Sequence, residues 1–254
     1  MATILPPTDA SVHQAARFLV SGDLVALPTE TVYGLAADAT NPEAVAKIFA
    51  AKDRPSTNPL IVHIDGPERV LDYAEPLDDR WQRMADAFWP GPLTLILPRR
   101  EKRIVDAVTA GLNTVGLRVP DVEITRKVIR EAGKPLAAPS ANPAGYVSPT
   151  SAAHVQASLG QRISYIMDGG DCQRGIESTI LDLSQPNVAR LLRPGPLSLE
   201  DLETVLGTPI ERTQNHAGTE HVQVAPGQFS AHYQPRARVE LWSGQVPIKV
   251  LGNS

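Results

Sequence analysis

The placement of proline constrains the fold of this chain more than any other sequence feature. There are 23 prolines, where average usage would give roughly 13. They punctuate the whole chain in segments such as KDRPSTNPL (52–60), FWPGPL (88–93) and APSANP (138–143). Because proline fixes φ and restricts the residue before it, each segment is predicted to be a rigid, shaped loop. Rigid loops between short apolar strands are a common way to build a concave site.

Helical and strand patterns alternate irregularly between these loops. Apolar spacing and capping residues predict helices over 9–21, 42–51, 121–132, 149–159 and 198–206, with two more within 66–88. Apolar runs predict strands over 24–29, 59–64, 93–98, 114–120, 135–139, 163–168, 178–183 and 188–194. Several strands are adjacent in sequence, which favours a mixed α/β sheet over a doubly wound parallel one.

The composition excludes several classes of protein. The formal net charge of −4 argues against binding DNA through bulk positive charge. One cysteine excludes an intrachain disulfide framework and a multi-cysteine zinc site. No apolar run reaches the roughly 18 residues of a membrane span, and the N-terminus lacks the pattern of a signal peptide. We therefore expect a cytoplasmic protein that does not contact a membrane.

The sequence pattern changes at Gly207. Residues up to that point carry the helical and strand patterns, so 1–207 is predicted to be one folded domain. Residues 208–254 are polar and turn-rich, which predicts an extended linker or lid with no further domain after it.

Candidate chemistry lies at the ends of the predicted strands. The sequence has no P-loop, Rossmann glycine motif, nucleophile elbow or H-E-x-x-H motif. Four cations flank rigid proline loops and together would suit phosphate or carboxylate groups: Lys52, Arg54, Arg118 and Arg193. An arginine within a strand, taken alone, is more typical of a solvated strand edge.

Other polar residues allow two interpretations. His63, within LIVHI, is typical of a satisfied core histidine unless the neighbouring loops converge on it. Glu30 is the acidic residue best placed for catalysis, or else it caps a turn. The basic run RREKR (99–103) is typical of a solvated loop, with a weak RNA contact as the alternative.

A set of segments, taken together, resembles a known family. The segments are PTETVYGLAADA (28–39), KDRPSTNPLIVHI (52–64), WPGPLTLIL (89–97), VGLRVP (115–120), APSANPAGYVSPTSAAHV (138–155), ESTILDL (177–183) and LLRPGPLS (191–198). They resemble the YrdC-type threonylcarbamoyl-AMP synthases over nearly all of 8–206. APGQFSAHYQP (225–235) is similar to the linker of the two-domain members, which carry a further C-terminal domain.

The resemblance implies a fold and a reaction. The fold is a twisted, mixed parallel and antiparallel sheet flanked by helices, with a deep, positively charged cavity. The reaction joins L-threonine and bicarbonate into a carbamate, which attacks the α-phosphate of ATP to give threonylcarbamoyl-AMP and pyrophosphate. Mg²⁺ is carried by ATP, and no residue is assigned to hold a metal. The product passes to a transferase partner that modifies tRNA.

The resemblance also assigns residues by motif position. The catalytic cations would be Lys52 and Arg54. The L-threonine site would be formed by Thr31, His63, Arg118, Ala138 and Ser178, with Arg118 on the substrate carboxylate. The ATP site would be formed by Arg54, Asn58, Thr114, Ser140, Ser148, Arg193 and Tyr233.

Two other functions compete with this one. An O-carbamoyltransferase fed by carbamoyl phosphate would use a related module, but such enzymes are larger and carry zinc or acylphosphatase-like units. A non-enzymatic RNA-binding module is disfavoured by the net charge of −4 and by an aromatic content of only 5%.

Overall fold

A computed structural model describes residues 1–212 of the chain. Its helices are α1 (Asp9–Val20), α2 (Pro42–Lys52), α3 (Val70–Tyr73), α4 (Arg80–Phe88), α5 (Asp106–Thr109), α6 (Glu123–Ala132), α7 (Ala152–Leu159) and α8 (Leu199–Leu206). Its strands are β1 (Thr3–Leu5), β2 (Val25–Leu27), β3 (Gly34–Asp38), β4 (Ile61–His63), β5 (Leu93–Pro98), β6 (Thr114–Arg118), β7 (Leu136–Ala137), β8 (Tyr165–Met167), β9 (Thr179–Gln185), β10 (Val188–Arg193) and β11 (Glu211–Arg212).

The strands form one mixed sheet in the order β1-β8-β2-β3-β7-β4-β6-β5-β9-β10-β11. Parallel neighbours include β4 with β6 and β5 with β9, whereas β5 with β6 and β9 with β10 are antiparallel. The predicted mixed α/β sheet is therefore confirmed.

Local sequence signals explain where the helices begin and end. In α2 the Asn41 side chain accepts hydrogen bonds from the backbone N–H groups of Glu43 and Ala44, and Pro42 occupies the first turn. In α6 the left-handed Gly133 closes the C-terminus through bonds to the carbonyls of Arg130 and Ile129. Both boundaries lie within two residues of those predicted.

The two ends of the sheet are covered differently. One face packs against the large core, in which Leu35, Ile48 and Leu117 are fully buried. On the opposite face, α1 and α6 cover the β1–β8–β2–β3–β7 end with a second apolar cluster. The same face of the other end has a cluster of only four buried residues, which are Ile61, Ile96, Ile180 and Leu192. The thinner layer leaves room for a cavity beside it.

The structure adds elements that the sequence patterns did not predict. The segment after TETVYG forms β3, which is buried along its whole length, although GLAAD has no β-branched or aromatic residue to indicate a strand. The strands β1 and β11 and the helix α5 were also unpredicted. Strand β11 lies within the predicted linker and pairs in parallel with β10, so the sheet extends beyond Gly207. The rest of that linker, 213–254, lies outside the described residues.

Within residues 1–212, no helix is both long and apolar enough to cross a membrane.

Candidate active site

A cavity of about 540 Å³, open mouth included, lies on the thinly covered face of the sheet. Strand ends and proline loops form its walls. The lining residues are Thr29, Thr31, Val32, Gly34, Arg54, Ile61, His63, Arg118, Ala138, Pro139, Ser140, Glu177, Ser178 and Arg193.

Strand register brings the polar residues of this cavity together. In the parallel pair β4 and β6, His63 lies opposite Arg118. Thr179 of β9 pairs with Leu93 of β5, so the preceding Ser178 reaches the same edge of the sheet. The Ser178 hydroxyl lies 2.8 Å from the hydroxyl of Thr94. Residues far apart in sequence thus converge at one edge.

The TET segment forms one wall. The Thr29 hydroxyl donates to the Val32 carbonyl at 2.6 Å and lies 2.8 Å from the Thr31 hydroxyl. It also accepts the backbone N–H groups of Thr31 and Val32. Both threonines line the cavity, and this tight turn directs the intervening Glu30 to the opposite side.

Arg118 and Glu30 form a buried ion pair. Arg118 Nη2 donates to Glu30 Oε1 at 2.6 Å, and each side chain is 5% exposed. The other oxygen, Glu30 Oε2, accepts the backbone N–H of Asp121 at 2.9 Å. Arg118 Nε donates to the Gly91 carbonyl at 3.3 Å. The guanidinium is therefore held from behind while it lines the cavity.

Arg193 and Glu177 form a second ion pair, which is half-buried. Arg193 Nη1 bonds to Glu177 Oε2, and Arg193 Nε donates to the Ser178 carbonyl at 3.0 Å. Its Nη2 also donates to the Ser178 hydroxyl at 3.1 Å. The Ser148 hydroxyl donates to Glu177 Oε1 at 3.3 Å. Here both members of the pair line the cavity.

Close backbone packing supports this second pair. A Cβ atom on Gly195, in the loop after β10, would lie 2.4 Å from the Thr179 nitrogen and 2.7 Å from the Glu177 carbonyl oxygen. Only glycine allows this approach, so the RPGPL segment fixes the position of 177–179.

His63 is a neutral group in the cavity. Burial lowers the pKa of its imidazole to about 3, and the neighbouring Arg118 charge contributes to the shift. Its Nδ1 is buried without a hydrogen-bond partner among the described residues. A buried polar atom without a partner is costly, so this nitrogen fits a site that a ligand completes.

Lys52 is buried and Arg54 is half-buried next to the Pro55 loop, and the two side chains have different surroundings. Lys52 Nζ donates to the carbonyls of Ser140 and Asn142 and is not among the lining residues. Burial lowers the pKa of Lys52 to about 7, with a smaller contribution from the Arg54 charge. Arg54 lines the cavity, its Nη2 donates to the Pro59 carbonyl at 2.9 Å, and burial lowers its pKa to about 10.

The cavity brings together most of the residues predicted for the site. All five assigned to L-threonine line it, namely Thr31, His63, Arg118, Ala138 and Ser178. Arg54, Ser140 and Arg193 of the ATP set also line it.

The remaining assignments have other locations. Lys52, Asn58 and Ser148 are buried near the cavity but do not line it. Thr114 begins β6, four residues before Arg118, which corresponds to about 13 Å along a strand. Tyr233 lies outside the described residues. These roles stay predictions.

The acidic partners were the residues that sequence reasoning did not place. The sequence allowed two interpretations of Glu30, catalysis or turn capping. It gave Glu177 no role beyond its place in the ESTILDL motif. The signal for both is an acidic residue next to the hydroxyl residues of a predicted site loop, as in TET and EST. Two of the three lining arginines are paired with these acids, so the predicted positive charge of the cavity stays a prediction.

The donor set of the cavity suits anions better than a resident metal ion. The described residues contain no group of three or more His, Cys, Asp or Glu side chains able to hold a metal. The lining residues supply guanidinium groups, hydroxyls, one imidazole and one carboxylate. That Mg²⁺ arrives with ATP stays a prediction.

Comparison with known sequences identifies the family that this chain is similar to. Residues 17–195 match the sequence profile of the Sua5/yciO/yrdC family, which carries the description "telomere recombination". The chain is 44% identical over 240 residues to the threonylcarbamoyl-AMP synthase of Bacillus subtilis, covering 94% of this chain and 69% of that protein. It is 45% identical over 234 residues to the enzyme of the same name from Pyrococcus abyssi, covering 92% and 68%.

Solved structures share the architecture. The crystal structure of P. abyssi Sua5 complexed with L-threonine superposes with a TM-score of 0.88 at 42% identity, covering 93% of this chain and 70% of that chain. The structure of Escherichia coli YciO has a TM-score of 0.71 at 18% identity, covering 80% of this chain and 100% of that chain. The second likeness is one of fold alone.

Proposed function

The chain belongs to the Sua5/YciO/YrdC family, and on that premise we propose that it synthesises threonylcarbamoyl-AMP from L-threonine, bicarbonate and ATP with release of pyrophosphate. The observation that carries the proposal is that all five side chains assigned to L-threonine line one cavity, with Arg118 beside His63. The likeness to a solved relative that holds L-threonine supports it.

The contacts at the Arg118 end suit an α-amino acid. The guanidinium is held by Glu30 and by the Gly91 carbonyl, and it meets the substrate carboxylate through a charge-assisted hydrogen bond. His63 stays neutral at physiological pH because of its burial, so it exchanges hydrogen bonds with the substrate without adding charge. The hydroxyls of Thr31 and Ser178 provide further polar contacts.

The rest of the cavity suits a phosphate group. The carbamate formed from L-threonine is short-lived in water, so it must be used where it forms. Its attack on the α-phosphate requires alignment and cations more than a covalent nucleophile. Arg54 and Arg193 line the cavity on this side and would stabilise the charge that develops on the leaving pyrophosphate. When bound with ATP, Mg²⁺ would neutralise part of the phosphate charge.

The product would pass to a transferase that places the threonylcarbamoyl group on tRNA, and the protein would act in the cytoplasm. Both points rest on the resemblance to the family. The proposal of a direct tRNA contact by the 99–103 loop is less favoured, because Arg99 pairs with Asp106 and Arg100 pairs with Glu75.

The deciding experiment measures pyrophosphate release and threonylcarbamoyl-AMP by mass spectrometry. The purified chain receives Mg·ATP, bicarbonate and either L-threonine, L-serine or no amino acid. Pyrophosphate release that requires both L-threonine and bicarbonate is expected. The control variant Arg130→Ala, which removes an exposed arginine outside the cavity, should keep full activity.

Two outcomes would reject the proposed function. Pyrophosphate release independent of L-threonine would indicate an ordinary nucleotide hydrolase. Turnover only with carbamoyl phosphate would indicate the O-carbamoyltransferase reaction.

A further inference from the structure

Glu30 lies behind the cavity wall, in contact with the guanidinium that the proposed function places on the substrate carboxylate. We propose that Glu30 is a positioning residue that fixes which edge of Arg118 meets this carboxylate, and that it thereby sets the preference of the site for a carboxylate over a neutral group. The inference rests on the proposed function, because it concerns the ligand of that same cavity.

Three contacts determine the orientation of the guanidinium. Nη2 bonds to Glu30 Oε1 at 2.6 Å and Nε bonds to the Gly91 carbonyl at 3.3 Å. Nη1 has no hydrogen-bond partner within residues 1–212. The protein thus uses one edge of the planar group and leaves Nη1 for a ligand.

Glu30 acts through Arg118 and not on the ligand itself. Thr29 and Thr31 line the cavity, whereas Glu30 does not. Its carboxylate is 5% exposed and faces away from the cavity, toward the guanidinium and the Asp121 backbone. A buried arginine without a counter-charge would be costly, so Glu30 also offsets the cost of burying the Arg118 guanidinium.

The two bonds of Glu30 require two acceptor oxygens. Oε1 accepts from Arg118 Nη2, and Oε2 accepts from the Asp121 backbone N–H. A glutamine has nearly the same shape but only one acceptor oxygen, because its other terminal atom is a donor. Glu30→Gln must therefore lose one of the two bonds: loss of the first frees the guanidinium, and loss of the second frees the side chain that holds it.

The test is a comparison of two ligands in two proteins. Dissociation constants for L-threonine and L-threoninamide are measured by calorimetry for the wild-type chain and for Glu30→Gln. In the wild type, L-threonine should bind much more tightly than the amide. In Glu30→Gln, this preference should fall at least tenfold, because L-threonine binding weakens while amide binding changes little. A purely structural role would weaken both ligands equally.

Matched variants complete the experiment. Glu123→Gln alters an exposed Arg126–Glu123 pair of similar length, 2.7 Å, and should leave the preference unchanged. If Glu30→Gln does not fold, Glu30→Asp decides, because it keeps the charge but is too short for both bonds and should also lower the preference.

The outcomes separate the two proposals. An unchanged or increased preference in the folded Glu30 variants would overturn the positioning role while leaving the proposed function intact. A wild-type chain that does not bind L-threonine would overturn the proposed function, and the positioning role with it.

Discussion

The cavity contains two arginine–glutamate pairs, one buried and one half-buried, and they are built in different ways. At one end, Arg118 lines the cavity while Glu30 lies behind it. At the other end, Arg193 and Glu177 both line the cavity, with side chains 12% and 11% exposed. Each arginine also donates to a backbone carbonyl, of Gly91 and Ser178 respectively.

The difference shows how one kind of ion pair can serve two purposes. An acid behind its arginine orients the cation and leaves a preset edge for a ligand. An acid beside its arginine is itself in reach of the ligand, so an incoming anion meets both charges. We therefore expect the Arg118 end to bind a carboxylate without rearranging, and the Arg193 end to change its ion pair when a phosphate group enters.

Substitution of each arginine by alanine should have the largest effect on substrate binding, and it tests the difference between the two ion pairs most directly. Arg118→Ala should weaken L-threonine binding by about 2–4 kcal/mol, since a buried charge-assisted pair is lost. The KM for L-threonine should rise far more than the KM for ATP. Arg193→Ala should do the reverse, and steady-state kinetics with each substrate varied in turn will measure both.

Each outcome of the arginine substitutions is informative. If Arg118→Ala raised the KM of both substrates equally, the assignment of Arg118 to the L-threonine subsite would be wrong. Because Glu30 would lose its counter-charge, thermal unfolding of the variant must be measured alongside the kinetics.

The next effect concerns Lys52, which is buried behind the residues that line the cavity. Lys52→Met should destabilise the fold by about 1–3 kcal/mol, since the Ser140 and Asn142 carbonyls lose their donor. The Lys52 pKa is about 7 in the folded chain and 10.5 ordinarily. The unfolded state therefore binds more protons between these values, so wild-type stability gains a contribution that rises with pH from about 7 to 10.5.

Lys52→Met should lose that slope, and its penalty should grow as the pH is raised. Urea unfolding at pH 6.5, 8 and 9.5 will measure this. Lys47→Met is the matched control, because Lys47 also donates to a backbone carbonyl but is half exposed. Parallel stability curves for wild type and Lys52→Met would contradict the expectation. A large loss of kcat at unchanged stability would instead support the predicted catalytic role of Lys52.

The smallest expected effect is a change in acid sensitivity at the Arg118 end. Folding lowers the His63 pKa from 6.5 to about 3. The unfolded state therefore binds more protons in this window, and the stability that neutral His63 provides is lost as the pH falls from about 6.5 toward 3. His63→Gln should flatten this part of the curve, as measured by melting temperatures at pH 7 and 4.5. His13→Gln, at an exposed histidine, should not.

Much of the fold could be predicted because its signals are local. The strand over 93–98 has the predicted bounds, since LTLILP is a β-rich run that ends before a basic turn. The Asn41–Pro42 signal gives the start of α2, since a cap and a first-turn proline act on adjacent residues. Strand β3 was missed because GLAAD is stabilised by its pairing with β2 and β7, not by its own propensity.

The chain's sequence by itself determined the mixed sheet, the position of the proline loops, the family resemblance and the set of polar residues at strand ends. Only the tertiary structure decided which glutamate pairs with which arginine. It also decided that the Lys52 side chain donates to loop carbonyls and does not line the cavity. Glu30 and Arg118 are 88 positions apart, as are Lys52 and Ser140. Nothing in a local pattern encodes such contacts, because the register of non-neighbouring strands and the burial around them set both the distance between two charges and the cost of leaving one unpaired.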